Sequence, residues 1–196
     1  MPWLACAGMG VGGHECAALI LSRLTGAPVR EFLQSSPQMD GNLLTHLLVV
    51  TQGAQGRHRD VSDPVEVLAA FGGFDIAMMA GAMLVAAGRR HLVMVDGLPA
   101  CAALMVAARI AAPVTDYCVF CRSHGHHGLD YALNQFHASA LLELGMESTD
   151  GTGATLAWPL LRAATSLLTE VAEGEDPGPS RPGDLGGGSA SGNALR

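Results

Sequence analysis

The stretch His91-Leu92-Val93-Met94-Val95-Asp96-Gly97 decides the fold class. Four apolar residues in a row stop at an Asp-Gly turn. The run is too short for a helix and too evenly apolar for a strand with one wet face. It therefore predicts a strand over His91 to Val95 that is buried on both sides. Burial of both faces is the habit of parallel sheets, whose crossover helices cover them. A helical pattern from about Pro99 to Ile110 follows, and Asp116 to Phe120 reads as the next strand. Upstream, Trp3 to Ala7 is another short apolar run. The glycine turn Gly8 to Gly13 leads from it into a helical pattern over His14 to Leu24, which ends at Gly26 and Pro28. The expected fold is α/β: a mainly parallel sheet with flanking helices in a Rossmann-like three-layer arrangement.

The intervening segments are read in the same way. Asn42 to Thr51 is helical, and Gly53 to Asp63 is a polar loop. Asp63 and Pro64 mark a helix start, the first as N-cap and the second at the first helical position. Ile76 to Ala87 is rich in alanine and methionine and apolar on most sides, which predicts a helix packed inside the molecule. Gly128 to Phe136 reads as a helix, Leu141 to Leu144 as a short strand, and Gly145 to Gly153 as a loop. A last helix is expected over Ala154 to Val171, bent or broken near Pro159. Ten of the 24 residues from 173 to 196 are Gly or Pro. This divides the chain into an α/β domain over 1–172 and a disordered Gly/Pro-rich tail over 173–196.

Composition excludes some chemistry outright. All eleven basic side chains are arginine, so there is neither a Schiff-base lysine nor a P-loop lysine. A bound phosphate must rest on arginine, histidine, backbone amides or a helix N-terminus. A net charge of −7 argues against a nucleic-acid partner. Mean hydropathy is +0.29, yet no apolar run approaches the ~20 residues of a membrane span. The first residues lack the basic start of a signal peptide, and the five cysteines are scattered. Reduced thiols and a cytoplasmic location are the expectation.

Four constellations stand out, each with two readings. Gly8-x-Gly10-x-x-Gly13 fits a dinucleotide fingerprint, with Glu31 as the ribose acid, or else a generic anion-binding turn. Cys118-x-x-Cys121 with His124 offers zinc-type ligands, or else a histidine-rich loop at a strand end. Asp96-Gly97 leaves the carboxyl end of a strand, where α/β folds place ligands; a helix N-cap is the plainer alternative. Asp150 opens the turn Asp150-Gly151-Thr152-Gly153-Ala154 before a helix, either as a general base or as a cap.

Taken together, the segments resemble the nicotinate-nucleotide:dimethylbenzimidazole phosphoribosyltransferase family, from about Cys6 to Val171. Gly8-Met9-Gly10-Val11-Gly12 is similar to the family's first glycine loop, and Leu24-Thr25-Gly26-Ala27-Pro28 follows as it does there. Gly72-Gly73-Phe74-Asp75-Ile76-Ala77, then Met79-Ala80-Gly81-Ala82, resemble its internal block. Val93-Met94-Val95-Asp96-Gly97 resembles its strand-to-turn element. Leu142 to Gly145, Asp150 to Ala154 and Pro159-Leu160-Leu161-Arg162 resemble its C-terminal signature.

The resemblance implies transfer of phosphoribose from nicotinate mononucleotide to a benzimidazole-type base, with Asp150 as general base. It implies nucleotide or phosphate contacts from Gly10, Gly12, Gly13, His46, Asp96, Gly97, Ser123, Gly151 and Gly153. It implies a homodimer, and neither a cofactor nor a metal. Several positions depart from the family. Asp150 replaces a glutamate, Gly8 replaces the glutamate of the first loop, and Gly13-His14-Glu15 replaces Asn-Thr-Thr. Gln34 to Gln38 replaces a glycine-rich phosphate segment, and His46 aligns with a phosphate-site lysine. The family's N-terminal portion has no counterpart in the sequence. Two readings follow: a short phosphoribosyltransferase, completed by another subunit, or a non-catalytic relative that binds a nucleotide or a partner protein. An NAD-dependent oxidoreductase rests on the first glycine loop alone.

Overall fold

Strand β2 (Leu92–Asp96) lies between β1 (Trp3–Ala7) and β3 (Cys118–Phe120) in a parallel sheet of order β1-β2-β3. The computed structural model describes residues 2–33, 40–123, 127–143 and 151–172. Ala7 stands opposite Asp96, and Val95 opposite Phe120, so the carboxyl ends of the three strands are level. Val93 and Val95 face the main core, while Met94, turned to the other side by the two-residue period, is buried there as well.

Helices α5 (Phe74–Gly88) and α6 (Leu98–Ile110) cover the Val93 and Val95 face, and α1 (Gly13–Thr25) packs on α6. The opposite face receives the first turns of α8 (Thr152–Ala172), where the rings of Trp158 and Trp3 lie 4.6 Å apart. Helix, sheet and helix thus form the three expected layers. Around α1 gather α2 (Val29–Leu33), α3 (Gly41–Arg57) and α4 (Pro64–Phe71), and α7 (His127–Gln135) packs on α2. A second parallel pair joins β4 (Arg122–Ser123) to β5 (Leu142–Glu143). The chain divides into two compact units, Met1–Leu160, which holds all of these layers, and Leu161–Arg196, whose described part is the end of α8. Residues 173–196 lie outside the described residues.

Local chemistry accounts for most boundaries. Gly26 ends α1 with φ +76°, and its N–H donates to the carbonyl of Ser22 at 2.9 Å. The Asp63 carboxylate accepts from the amides of Val65 and Glu66, and Pro64 opens α4; such a cap contributes about 1 kcal/mol.

Elsewhere the structure corrects the sequence reading. Helix α3 runs on to Arg57, through half of the segment read as a loop. Tertiary bonds hold that extension: Gln55 Nε2 donates to Ser22 Oγ at 2.9 Å, and Arg23 donates to the carbonyl of Gln55 at 3.0 Å. These outweigh the poor helix propensity of Gly53 and Gly56. Helix α5 is not enclosed on most sides. Ile76, Ala80 and Met83 are buried, but Phe74 is 92% and Met78 75% exposed. Asp116 and Tyr117 belong to a 3₁₀ turn over Ala112–Tyr117, which leaves β3 only Cys118–Phe120.

Two predictions concern this framework. Gly128 sits against the backbone of Phe32, where a Cβ has no room. Gly128→Ala should lower the unfolding free energy by about 1–3 kcal/mol in urea denaturation. His14 Nε2 donates to the carbonyl of Phe32 at 3.1 Å, and burial pulls its pKa below the ordinary 6.5. The unfolded chain therefore takes up this proton first. The His14 contribution to stability should be complete above that ordinary value and should fall as pH drops below it. Unfolding curves across that window should flatten in His14→Gln.

Candidate functional site

The carboxyl edge of the sheet collects most of the candidate residues. From β1 the chain enters the loop Gly8–Gly12, from β2 it enters Asp96-Gly97, and from β3 it reaches Cys121 and Arg122. Gly151 lies over the end of β1, where its Cβ would stand 3.7 Å from the Cβ of Ala7. The N-termini of α1, α6 and α8 therefore open at this edge, each directly after a glycine turn. Their aligned dipoles favour an anion, although the Gly13 amide donates to the carbonyl of Gly10 and the Ala154 amide to Asp96.

Backbone shape explains those glycines. Gly12 has φ +74° as N-cap of α1, Gly97 has φ +86° before α6, and Gly151 has φ +85° before α8. Side chains rarely adopt these angles. Gly8 is excluded from carrying a side chain by contact: a Cβ there would meet Cβ of Pro99 at 2.5 Å. A glutamate at this position would not fit against α6 as it stands.

Asp96 is fully buried, and both its oxygens are taken. Arg122 Nε donates to Oδ1 at 2.7 Å, and the amide of Ala154 donates to Oδ2 at 2.9 Å. Arg122 is itself only 2% exposed. Gly153 lets the pair close, since a Cβ there would stand 2.6 Å from both Asp96 Oδ1 and Arg122 Cδ. One carboxylate thus ties β2, β4 and the start of α8 together. Sequence reasoning found Asp96 and Gly153 but missed Arg122. Its signal is slight: a lone cation just past a strand end.

Other candidates fall elsewhere. Asp150 and His124 lie outside the described residues. Ser123 is on β4, beside the edge by its backbone position. His46 is exposed on α3, in a different part of the chain from the loops of this edge. Glu31 accepts from His127 at 2.7 Å, joining α2 to α7. Cys118 donates to the carbonyl of Val114, and burial raises the thiols of Cys118 and Cys121 to about 12. Both are thiols near neutral pH. Among the described residues no group of three His, Cys, Asp or Glu is placed to hold a metal ion.

The phosphoribosyltransferase family model DBI_PRT matches residues 1–178. The chain belongs to this family. It is 44% identical over 164 residues to the nicotinate-nucleotide–dimethylbenzimidazole phosphoribosyltransferase of Cupriavidus taiwanensis, covering 84% of this chain and 47% of that protein. The enzyme of the same name from Ralstonia nicotianae is 40% identical over 169 residues, or 86% and 48% of the two chains. The crystal structure of CobT from Thermus thermophilus matches with a TM-score of 0.79 at 28% identity, covering 85% of this chain and 50% of that one. The chain thus spans about half the length of the relatives it matches. No described helix is long and apolar enough to cross a membrane.

The buried pair yields a prediction about stability. Asp96→Ala takes a 2.7 Å carboxylate partner from a buried guanidinium and an acceptor from the Ala154 amide, and should lower stability by about 3–5 kcal/mol in urea denaturation. Asp96→Asn combined with Arg122→Met removes both charges and should recover at least half of that loss.

Proposed function

We propose that this chain supplies the nucleotide-handling half of a phosphoribosyl transfer from nicotinate mononucleotide to a benzimidazole-type base. What carries the reading is the convergence of three glycine-led helix N-termini on one sheet edge, in a chain 44% identical to an enzyme named for that reaction. In a protein without lysine, the loop through Gly10, Gly12 and Gly13, which the bond from the Gly13 amide to the Gly10 carbonyl holds in shape, and the dipole of α1 cradle the phosphate. Gly97, Gly151 and Gly153 shape the remaining wall, and Asp96 holds it from behind. Ser123 extends it from β4, and His46 stands on α3 where the family resemblance calls for the absent lysine.

The chemistry asks little of the protein. The bond between ribose C1′ and the nicotinate nitrogen breaks, and its electron pair neutralises the pyridinium, so this group leaves without an acid. A ring nitrogen of the base attacks C1′, and the base then carries one proton too many. Asp150 accepts that proton as general base. The same reading includes assembly as a homodimer in the cytoplasm.

A second reading has a specific motive. The chain spans about half of its relatives, and a carboxylate one methylene shorter stands where the family has glutamate. On that reading the chain binds nucleotide or a partner protein without turnover. The oxidoreductase reading is set aside: the family is one of phosphoribosyltransferases, and Glu31 is already engaged with His127.

Nicotinate release separates the two. With nicotinate mononucleotide and 5,6-dimethylbenzimidazole, the chain should release nicotinate, and Asp150→Asn should slow that release about 10²-fold or more. Release no faster than without enzyme, alongside mononucleotide binding unchanged by Asp150→Asn, would decide for the binding protein.

A further inference from the structure

Among the described residues, one buried carboxylate oxygen has no hydrogen-bond partner. Asp75, in the first turn of α5, turns Oδ2 toward the first glycine loop, where a Cβ on Gly10 would stand 2.9 Å from it and one on Gly13 3.8 Å. This oxygen is closed off from solvent and accepts no hydrogen bond. The ion pairs among the described residues, Arg122 with Asp96 and His127 with Glu31, do not involve it. A buried carboxylate oxygen without a donor is costly, so its retention calls for a reason outside the folded chain.

The surroundings state what kind of donor fits. Met9 and Val11 flank Gly10 and are 76% and 108% exposed, as free as side chains become. Phe74 precedes Asp75, and Met78 lies one turn further along α5 on the same side as Phe74; both are largely exposed. The Gly10–Asp75 contact therefore brings apolar side chains from two elements to the rim of one carboxylate. The backbone of Gly10 and Gly13 lies against this oxygen, and neither residue has a side chain to fill the space before it. An ammonium ion would not use the apolar rim, and a plain hydrocarbon would leave the oxygen unsatisfied.

We propose that Asp75 is a specificity-determining residue of this edge, whose free oxygen accepts the ring N–H of a flat, apolar heteroaromatic base seated against Met9, Val11, Phe74 and Met78. The inference rests on the phosphoribosyl-transfer reading for the identity of that base, a benzimidazole, and adds the residue that recognises it. Asp75 selects and orients the ring in the bound state, by way of its one N–H; once the other ring nitrogen has attacked C1′, that same proton becomes acidic and passes to Asp150. A donor–acceptor match of this kind discriminates strongly, because an analogue without the N–H leaves the buried oxygen unpaired.

The test compares benzimidazole with 1-methylbenzimidazole, which has the same ring without the N–H, by calorimetric titration of the whole 196-residue chain. The wild type should bind benzimidazole at least about tenfold more tightly than the methylated ring. Asp75→Ala should level the two affinities, and the near-isosteric Asp75→Asn should bring the preference under about threefold. Gly10→Ala, which drives a methyl group into Oδ2 and leaves the acid in place, should weaken the same preference. Thermal unfolding of each variant shows that it is folded. A wild type that binds neither ring, or binds both equally, overturns the proposal, as does a preference that survives in Asp75→Asn and Asp75→Ala. Nicotinate release is measured separately. Release with a preference indifferent to Asp75 sinks this inference alone, whereas an Asp75-dependent preference without release sinks only the catalytic reading.

Discussion

The Asp96 carboxylate is the constraint on which the functional edge depends. A charge with no exposure at the end of the central strand survives only if each oxygen has a good donor, and each does: a guanidinium at 2.7 Å and a helix amide at 2.9 Å. An apolar pair of similar volume would serve stability as well or better. What it would not supply is direction. The two bonds fix β4 and the first turn of α8 against β2, and a side chain at Gly153 would push them apart. The charge pair therefore reads as a device for register at the edge, where loops would otherwise be free to shift.

Once that edge is fixed, the glycines follow from it. Backbone must pass close to Pro99 at Gly8, to Asp75 at Gly10, and to the buried pair at Gly153. At Gly12, Gly97 and Gly151 it must also turn with positive φ. Each requirement strips a side chain from the space above the strand ends. The result is a surface of amides and helix dipoles without lysine, which stabilises negative charge by geometry more than by cationic side chains. Phosphate recognition in such a site should be less sensitive to salt than recognition by a cluster of cations, since fixed dipoles act at short range.

How much of this was legible depended on how local its cause was. The central strand, read at 91–95 and found at 92–96, the cap at Asp63 and the stop at Gly26 were readable because a few adjacent residues determine them. The length of α3 was not, because it hangs on Ser22 and Arg23, some thirty positions away. The outer face of α5 was misread because periodicity cannot tell an apolar face that is buried from one left to solvent, and Phe74 and Met78 are left to solvent. Asp96 was recognisable as a residue at a strand end, but its two partners are 26 and 58 positions distant. Family resemblance located Asp150; residues 144–150 lie outside the described segments, so its part rests on the proposal and its assay.

The two acids on which the structure speaks illustrate opposite uses of a carboxylate. Asp96 is saturated, unexposed and shared among three elements, so a ligand could reach it only by taking the edge apart. Asp75 stands in the first turn of α5 and meets the backbone of Gly10 with an oxygen unspent. A saturated acid supports; an unsaturated one, at the rim of an apolar patch, awaits a donor. Affinity for a ring that bears an N–H can therefore be changed through Asp75 without touching the scaffold that Asp96 maintains. The reverse does not hold, because losing Asp96 releases the turn that follows Asp150 as well as the strand ends beneath it.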